Sequence, residues 1–214
     1  MVSADLTMIE DVLQFIGVFV SFSIAYVAFR GVRQTESSSM LRLATAFIFL
    51  GFGFMVEGFV GLGSIIPTLS LSTTTVVVIG LLLETTGYFF LAFSHAIDVT
   101  ISKRMGAALL VFPMISLTGT QLSDILSFMS FFFVLYAVVE TLYSYNRTRK
   151  PDTMLIAGGL ALIGVGTFAQ WLSLLYIQVD IVSQVLLLGQ ILLKEMGLMI
   201  LFVPVLRFAV GVKK

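Results

Sequence analysis

Leu187-Leu188-Gly189-Gln190-Ile191-Leu192-Leu193-Lys194-Glu195-Met196-Gly197-Leu198 sets a lysine and a glutamate side by side within an apolar run that continues to Val205. A charge at the centre of a membrane helix costs about 2.5–3.5 kcal/mol on insertion scales, so such residues face a partner or a water-filled cavity. An earlier stretch, Gly80-Leu81-Leu82-Leu83-Glu84-Thr85-Thr86-Gly87-Tyr88, repeats the layout with Glu84 where the later copy has Lys194. Two buried charges of opposite sign in matching contexts imply a membrane protein built from a repeated unit.

Composition supports the membrane reading. Of 214 residues, 58% are hydrophobic and only 11% charged, and mean hydropathy is +1.08. Soluble domains carry about 25% charged residues. Cysteine is absent, which excludes disulfides, thiolate metal sites and thiol catalysis. His95 is the single histidine, so multi-histidine haem or zinc sites within this chain are excluded. Asp5, Glu10 and Asp11 stand where a signal peptide would be basic, so none is expected. No basic patch suggests a nucleic acid.

Cutting at charges and turn residues gives seven apolar segments near Val12–Phe29, Met40–Val60, Thr73–Ser94, Met105–Thr118, Ile125–Tyr145, Met154–Ile177 and Val182–Phe208. Most approach the roughly 20 residues a spanning helix needs. The fourth is short and contains Pro113, which predicts a kink. With seven spans, Arg30, Arg33, Arg42, Lys103, Arg104, Arg147, Arg149, Lys150, Arg207, Lys213 and Lys214 all fall on one side. Asp5, Glu10, Asp11, Asp124 and Asp180 fall on the other. The positive-inside rule then puts the N-terminus outside and the C-terminus in the cytoplasm of a multi-pass cell-membrane protein.

The repeat extends over three helices. Asp11-Val12-Leu13-Gln14-Phe15 returns as Asp124-Ile125-Leu126-Ser127-Phe128, at 124 − 11 = 113. At the same offset Leu50-Gly51-Phe52-Gly53 returns as Ile163-Gly164-Val165-Gly166, and Glu57 as Gln170. Leu82-Leu83-Glu84-Thr85-Thr86-Gly87 matches Leu192-Leu193-Lys194-Glu195-Met196-Gly197, at 194 − 84 = 110. The expected fold is therefore all-α: a single membrane domain over residues 1–214, arranged 3+1+3. Residues 8–98 form the first three-helix repeat, 103–120 the linker helix and 121–210 the second repeat. Parallel repeats are related by an axis along the membrane normal, so equivalent residues share a depth. At 1.5 Å per residue Glu84 lies about 21 Å from Asp98, and Lys194 about 20 Å from Arg207. Both reach the midplane, where they can pair.

That pair is either a gate in a solute or ion path or a structural salt bridge fixing helix register. Glu195 points about 100° away from Lys194; it turns to another helix or carries a proton. Gln190, four residues before Lys194, can orient the ammonium. Glu57 and Gln170 line an outer vestibule or merely snorkel between glycine-rich helices. His95, about three turns beyond Glu84, is a relay candidate or a solvated interfacial histidine. Trp171 and Tyr176 read as interface-belt residues. No Ser/His/Asp set, metal-ligand spacing or phosphate loop is present, so neither an enzyme nor a metal site is expected.

Arg30-Gly31-Val32-Arg33-Gln34-Thr35-Glu36-Ser37-Ser38-Ser39-Met40-Leu41-Arg42, with Phe49 to Gly53 and Leu83-Glu84-Thr85-Thr86-Gly87, resembles small archaeal multispanning membrane proteins. There a basic turn joins two helices and a Leu-Glu-x-x-Gly helix follows; the resemblance implies an archaeal-type cell membrane and no site. In layout alone the chain is similar to SWEET-type sugar transporters, without their Pro-Gln signature, and to microbial rhodopsins. The rhodopsin likeness implies retinal on Lys194 opposite Glu84, but Leu81 stands where arginine is usual and Trp171 lacks the Trp-x-x-x-Pro setting. No cofactor is otherwise expected. The leading expectation is a small-solute or ion transporter in the lipid bilayer. The alternative is a non-catalytic subunit or signalling module acting through a membrane-protein partner or its own oligomer.

Overall fold

Long uninterrupted apolar runs leave the backbone no partner in lipid but itself, which dictates helices. The computed structural model describes residues 2–63, 73–94, 118–175 and 180–211. Among them lie six helices and no strand: α1 (Val2–Thr35), α2 (Ser38–Gly63), α3 (Thr73–Ser94), α4 (Gly119–Thr148), α5 (Pro151–Leu175) and α6 (Asp180–Gly211). All six are long and apolar enough to cross a membrane. Large apolar side chains such as Phe19, Tyr26, Phe132 and Val139 cover the outside, while Glu84, Ser127, Ser130 and Lys194 lie inside. This inside-out polarity is what lipid as solvent selects. The chain is a multi-pass membrane protein.

The expected third segment coincides with α3. The other described helices begin before their apolar runs, and α1, α2, α4 and α6 also end after them, because charged residues end a membrane span without ending a helix. Residues 105–117 of the expected fourth segment, His95 and Tyr176 lie outside the described residues. Gly119 and Thr120, the end of the expected linker segment, open α4. Thr118 is the N-cap, its hydroxyl accepting from Gln121 N while Gln121 Oε1 accepts from Thr118 N. This reciprocal capping box satisfies two backbone donors and starts α4 there.

Two tight links set the hairpins. Glu36 (φ 53°) ends α1 and Arg149 (φ 54°) ends α4, each in the left-handed conformation. Their amides bond back to Val32 O and Tyr145 O, both at 2.8 Å. These are the only non-glycine residues of positive φ among the described residues, and they are 149 − 36 = 113 positions apart.

Each helix packs against two others, in the closed order α1, α2, α3, α4, α5, α6 and back to α1. Directions follow from the contacts. Gln14 meets Glu57 and Phe22 meets Phe52, so α2 runs against α1. Phe49 stacks on Phe90 and Arg42 donates to Phe93 O, so α3 runs against α2. Thr85 meets Ser130, Phe89 meets Phe133 and Phe93 meets Tyr136, so α4 runs parallel to α3. Phe128–Trp171 and Arg207–Asp152 set α5 against α4 and α6 against α5. Hence α1, α3, α4 and α6 point one way, α2 and α5 the other. Arg30, Arg33, Arg42, Arg147, Arg149, Lys150 and Arg207 therefore gather at one end of the bundle.

Small residues let the helices approach. A Cβ on Gly87 would meet Leu50 Cγ at 2.7 Å and Ala46 O at 2.9 Å; one on Gly197 would meet Ile163 Cγ1 at 2.6 Å and Gly159 O at 2.5 Å. Residues 46 and 159, 50 and 163, and 87 and 197 are related by the offsets found in the sequence. The α2–α3 and α5–α6 contacts thus use equivalent atoms.

Candidate functional site

The site is built where those two close contacts face each other. A Cβ on Gly53 of α2 would touch Glu84 Cγ (2.9 Å), Glu84 N (3.2 Å) and Gly80 O (3.3 Å). One on Gly166 of α5 would touch Lys194 Cγ (2.9 Å), Lys194 N (3.2 Å) and Gln190 O (2.8 Å). In each case a glycine opens room for the stem of the charged side chain, which turns inward instead of toward lipid.

α3 and α6 are opposite members of the ring, and their charges meet across it. Lys194 Nζ donates to Glu84 Oε2 at 2.8 Å and Oε1 at 3.1 Å. Glu84 is 0% exposed and Lys194 3%. The ammonium also lies 5.8 Å from the centre of the Phe54 ring, within cation–π range. Such a pair offsets desolvation only because both carboxylate oxygens are engaged; losing one partner leaves a buried charge, at about 3–5 kcal/mol.

A cavity of about 180 Å³ lies against the pair, lined by residues including Gln14, Phe54, Glu57, Gln170, Gln190, Lys194 and Glu195. Its remaining walls include Val77, Ser173, Leu174 and Leu187, residues near the ends of α3, α5 and α6 remote from the basic cluster. On the basic side of the pair, Phe47, Leu50, Tyr88, Leu91, Leu160, Ile163, Leu198 and Leu201 belong to one buried apolar cluster. Among the described residues the cavity is therefore one-sided: it carries polar side chains above the ion pair, and packed apolar side chains lie below it.

Each expected residue takes a definite place. Glu57 and Gln170 line the cavity, and Gln14 Nε2 donates to Glu57 Oε2 at 3.2 Å. Gln190 does not orient the ammonium: both hydrogen bonds described for Lys194 Nζ go to Glu84, and Gln190 Oε1 has no partner. Glu195 turns to another helix, its carboxyl resting on Gly17 of α1, where a Cβ would clash with Oε1. It is 2% exposed, and neither oxygen has a hydrogen-bond partner. His95 lies outside the described residues.

Sequence reasoning missed Gln14 and Gly17. Gln14 stood only as a repeat match to Ser127, although a lone amide within an apolar run already signals a polar interior. Gly17 had no signal, since its role comes from a helix 178 positions away (195 − 17 = 178). Among the described residues no group of three or more His, Cys, Asp or Glu is arranged to hold a metal. The cavity beside Lys194, at about 180 Å³, is smaller than the about 300–1,000 Å³ of pockets for drug-sized ligands. Comparison with protein-family models, with curated proteins and with solved structures finds no match to this chain.

Proposed function

We propose that this protein is a transporter of a small solute or ion, with the Glu84–Lys194 pair as its central gate. One observation carries the reading: a cavity carrying amide and carboxyl side chains, on the side of the pair away from the basic cluster, stops at an ion pair that joins opposite helices across the ring. Transporters that alternate access place their binding sites near the midplane between structural repeats. Here the two hairpin turns, the glycine contacts and the charged positions recur at the same sequence offsets, which supports a duplicated three-helix unit. The parallel run of α3 and α4 supports a 3+1+3 order, because the chain between them must return to the opposite end of the bundle. Seven spans with an outside N-terminus then place the basic end in the cytoplasm and the cavity toward the exterior. The chain performs no chemistry in this reading; it rearranges packing around a fixed site.

The test is flux through the protein reconstituted in liposomes, with the pair neutralised together as Glu84→Gln with Lys194→Met. Removing both charges avoids the unpaired buried ion that a single change leaves. The double variant is expected to elute as a folded, monodisperse species and to lose flux. Flux at the unaltered rate in that variant would refute the gate. Absence of flux from the unaltered protein across inorganic cations, anions, amines and neutral solutes would refute transport itself.

A further inference from the structure

The cavity contains acceptors in excess of donors. Gln14 is 5% exposed, Gln190 6% and Glu195 2%. Gln14 Oε1, Gln170 Oε1, Gln190 Oε1 and both oxygens of Glu195 are buried without a hydrogen-bond partner, and all four residues line the same cavity. The Gln14 amide orientation is set by its neighbour: Nε2 donates to the Glu57 carboxyl, so Oε1 points elsewhere and needs a donor or a cation. Among the described residues, Lys194 is the only cationic side chain in the cavity wall, and its described bonds go to Glu84.

Burying acceptors without donors is unfavourable unless something supplies the positive end. Protein side chains in the wall do not. Water supplies donors for amides but brings no charge to the Glu195 carboxyl, whose two oxygens have no hydrogen-bond partner. A cation satisfies both needs. Multidentate carboxylate coordination of a divalent metal does not fit, since no suitable cluster of His, Cys, Asp or Glu occurs among the described residues. With the Glu57 carboxyl engaged by Gln14, amide oxygens beside the Glu195 carboxyl suit a singly charged guest, and oxygen ligands suit hard cations. The volume of about 180 Å³ holds on the order of six waters at about 30 Å³ each. It admits an alkali-metal ion with part of its hydration shell, or a protonated amine of a few heavy atoms.

We propose that this cavity binds one monovalent cation, an alkali-metal ion or a small protonated amine, through Gln14, Gln170, Gln190 and Glu195. Its part as cargo or coupling ion rests on the transport reading; the binding does not. Gly17 is the positioning residue, leaving space on α1 for the Glu195 carboxyl.

The experiment is thermal unfolding of the purified protein in detergent at constant ionic strength. Sodium, potassium, ammonium and methylammonium chlorides are titrated against N-methylglucamine chloride, a cation too large for the cavity. Saturable stabilisation by at least one of the four is expected, and which salts act separates alkali ion from amine. Glu195→Gln and, separately, Gln190→Leu are expected to weaken the apparent affinity on the order of tenfold or more, since each removes a contact to a charged guest. Two variants keep the test valid if one fails to fold. No stabilisation beyond N-methylglucamine, or equal affinity in both variants, would overturn the proposal. Cation binding without flux in liposomes would instead refute transport and leave the site standing.

Discussion

The ring has two seams between its halves, α3 against α4 and α6 against α1, and they differ. At the first, Thr85 and Ser130 share a hydrogen bond of 2.8 Å, with Thr85 also donating to Leu81 O at 2.6 Å. Below them Phe89 sits edge-on to Phe133, ring centres 5.5 Å apart, and Phe93 lies 6.2 Å from Tyr136. At the second seam the positions at the sequence offsets of 110 and 113 read Glu195 and Gly17 for Thr85 and Ser130, and Met199 and Val20 for Phe89 and Phe133. The aromatic ladder is absent there. Met199 and Val203 are exposed, and a shallow apolar groove runs past Phe15, Phe19, Tyr26 and Phe202. One seam is fastened by hydroxyls and rings; the other is thinly packed and carries a carboxyl without a partner. Under the transport proposal, the fastened seam would serve as the hinge and the thin one would open.

Breaking the link between the seams gives the largest effect. Glu84–Lys194 joins α3 of one seam to α6 of the other, so Lys194→Met leaves Glu84 buried without its counter-charge. Destabilisation of about 3–5 kcal/mol is expected, with Glu84→Gln in the same chain recovering most of it. Thermal or denaturant unfolding of single and double variants in detergent measures this. A double variant as unstable as the single one would mean that the pair is held by its surroundings, not by charge.

Cysteine pairs separate the seams directly, because the chain has no cysteine of its own. Phe89→Cys with Phe133→Cys should cross-link under mild oxidant and leave most of the flux intact. Val20→Cys with Met199→Cys should stop flux when oxidised and restore it on reduction. Equal loss from both cross-links would remove the distinction between hinge and opening seam.

Much of this difference was beyond the sequence. The spans were readable because lipid demands apolar length, and α3 begins and ends where its apolar run does. The Glu84–Lys194 pair was readable because equal depth and opposite charge are properties of position along a helix. The direction of Glu195 was not. Helical periodicity says which residues share a face, but not which helix that face meets, and Gly17 acquires meaning only once α6 closes the ring on α1. The same holds for Thr85, whose hydroxyl looks like one more residue bonding its own helix until Ser130 is brought to it. Charged helix ends were also hidden, since Arg30 and Arg33 halt burial while the backbone of α1 continues to Thr35.

The smallest effect tests that hydroxyl pair. Thr85→Val keeps the shape and the β-branch of the side chain while removing the oxygen that faces Ser130. Interhelical hydrogen bonds in membrane proteins contribute about 0.6 kcal/mol on average and about 1.7 at most, because the separated helices find other partners. A loss of that order in unfolding free energy is expected, with Ser130→Ala giving a similar loss and the two together little more than either alone. Glu195→Gln, at the equivalent position of the other seam, should not destabilise, since the carboxyl it replaces has no hydrogen bond to lose. If Thr85→Val is silent while Glu195→Gln unfolds the protein, the roles of the two seams are reversed, and the α6–α1 contact is the fastening one.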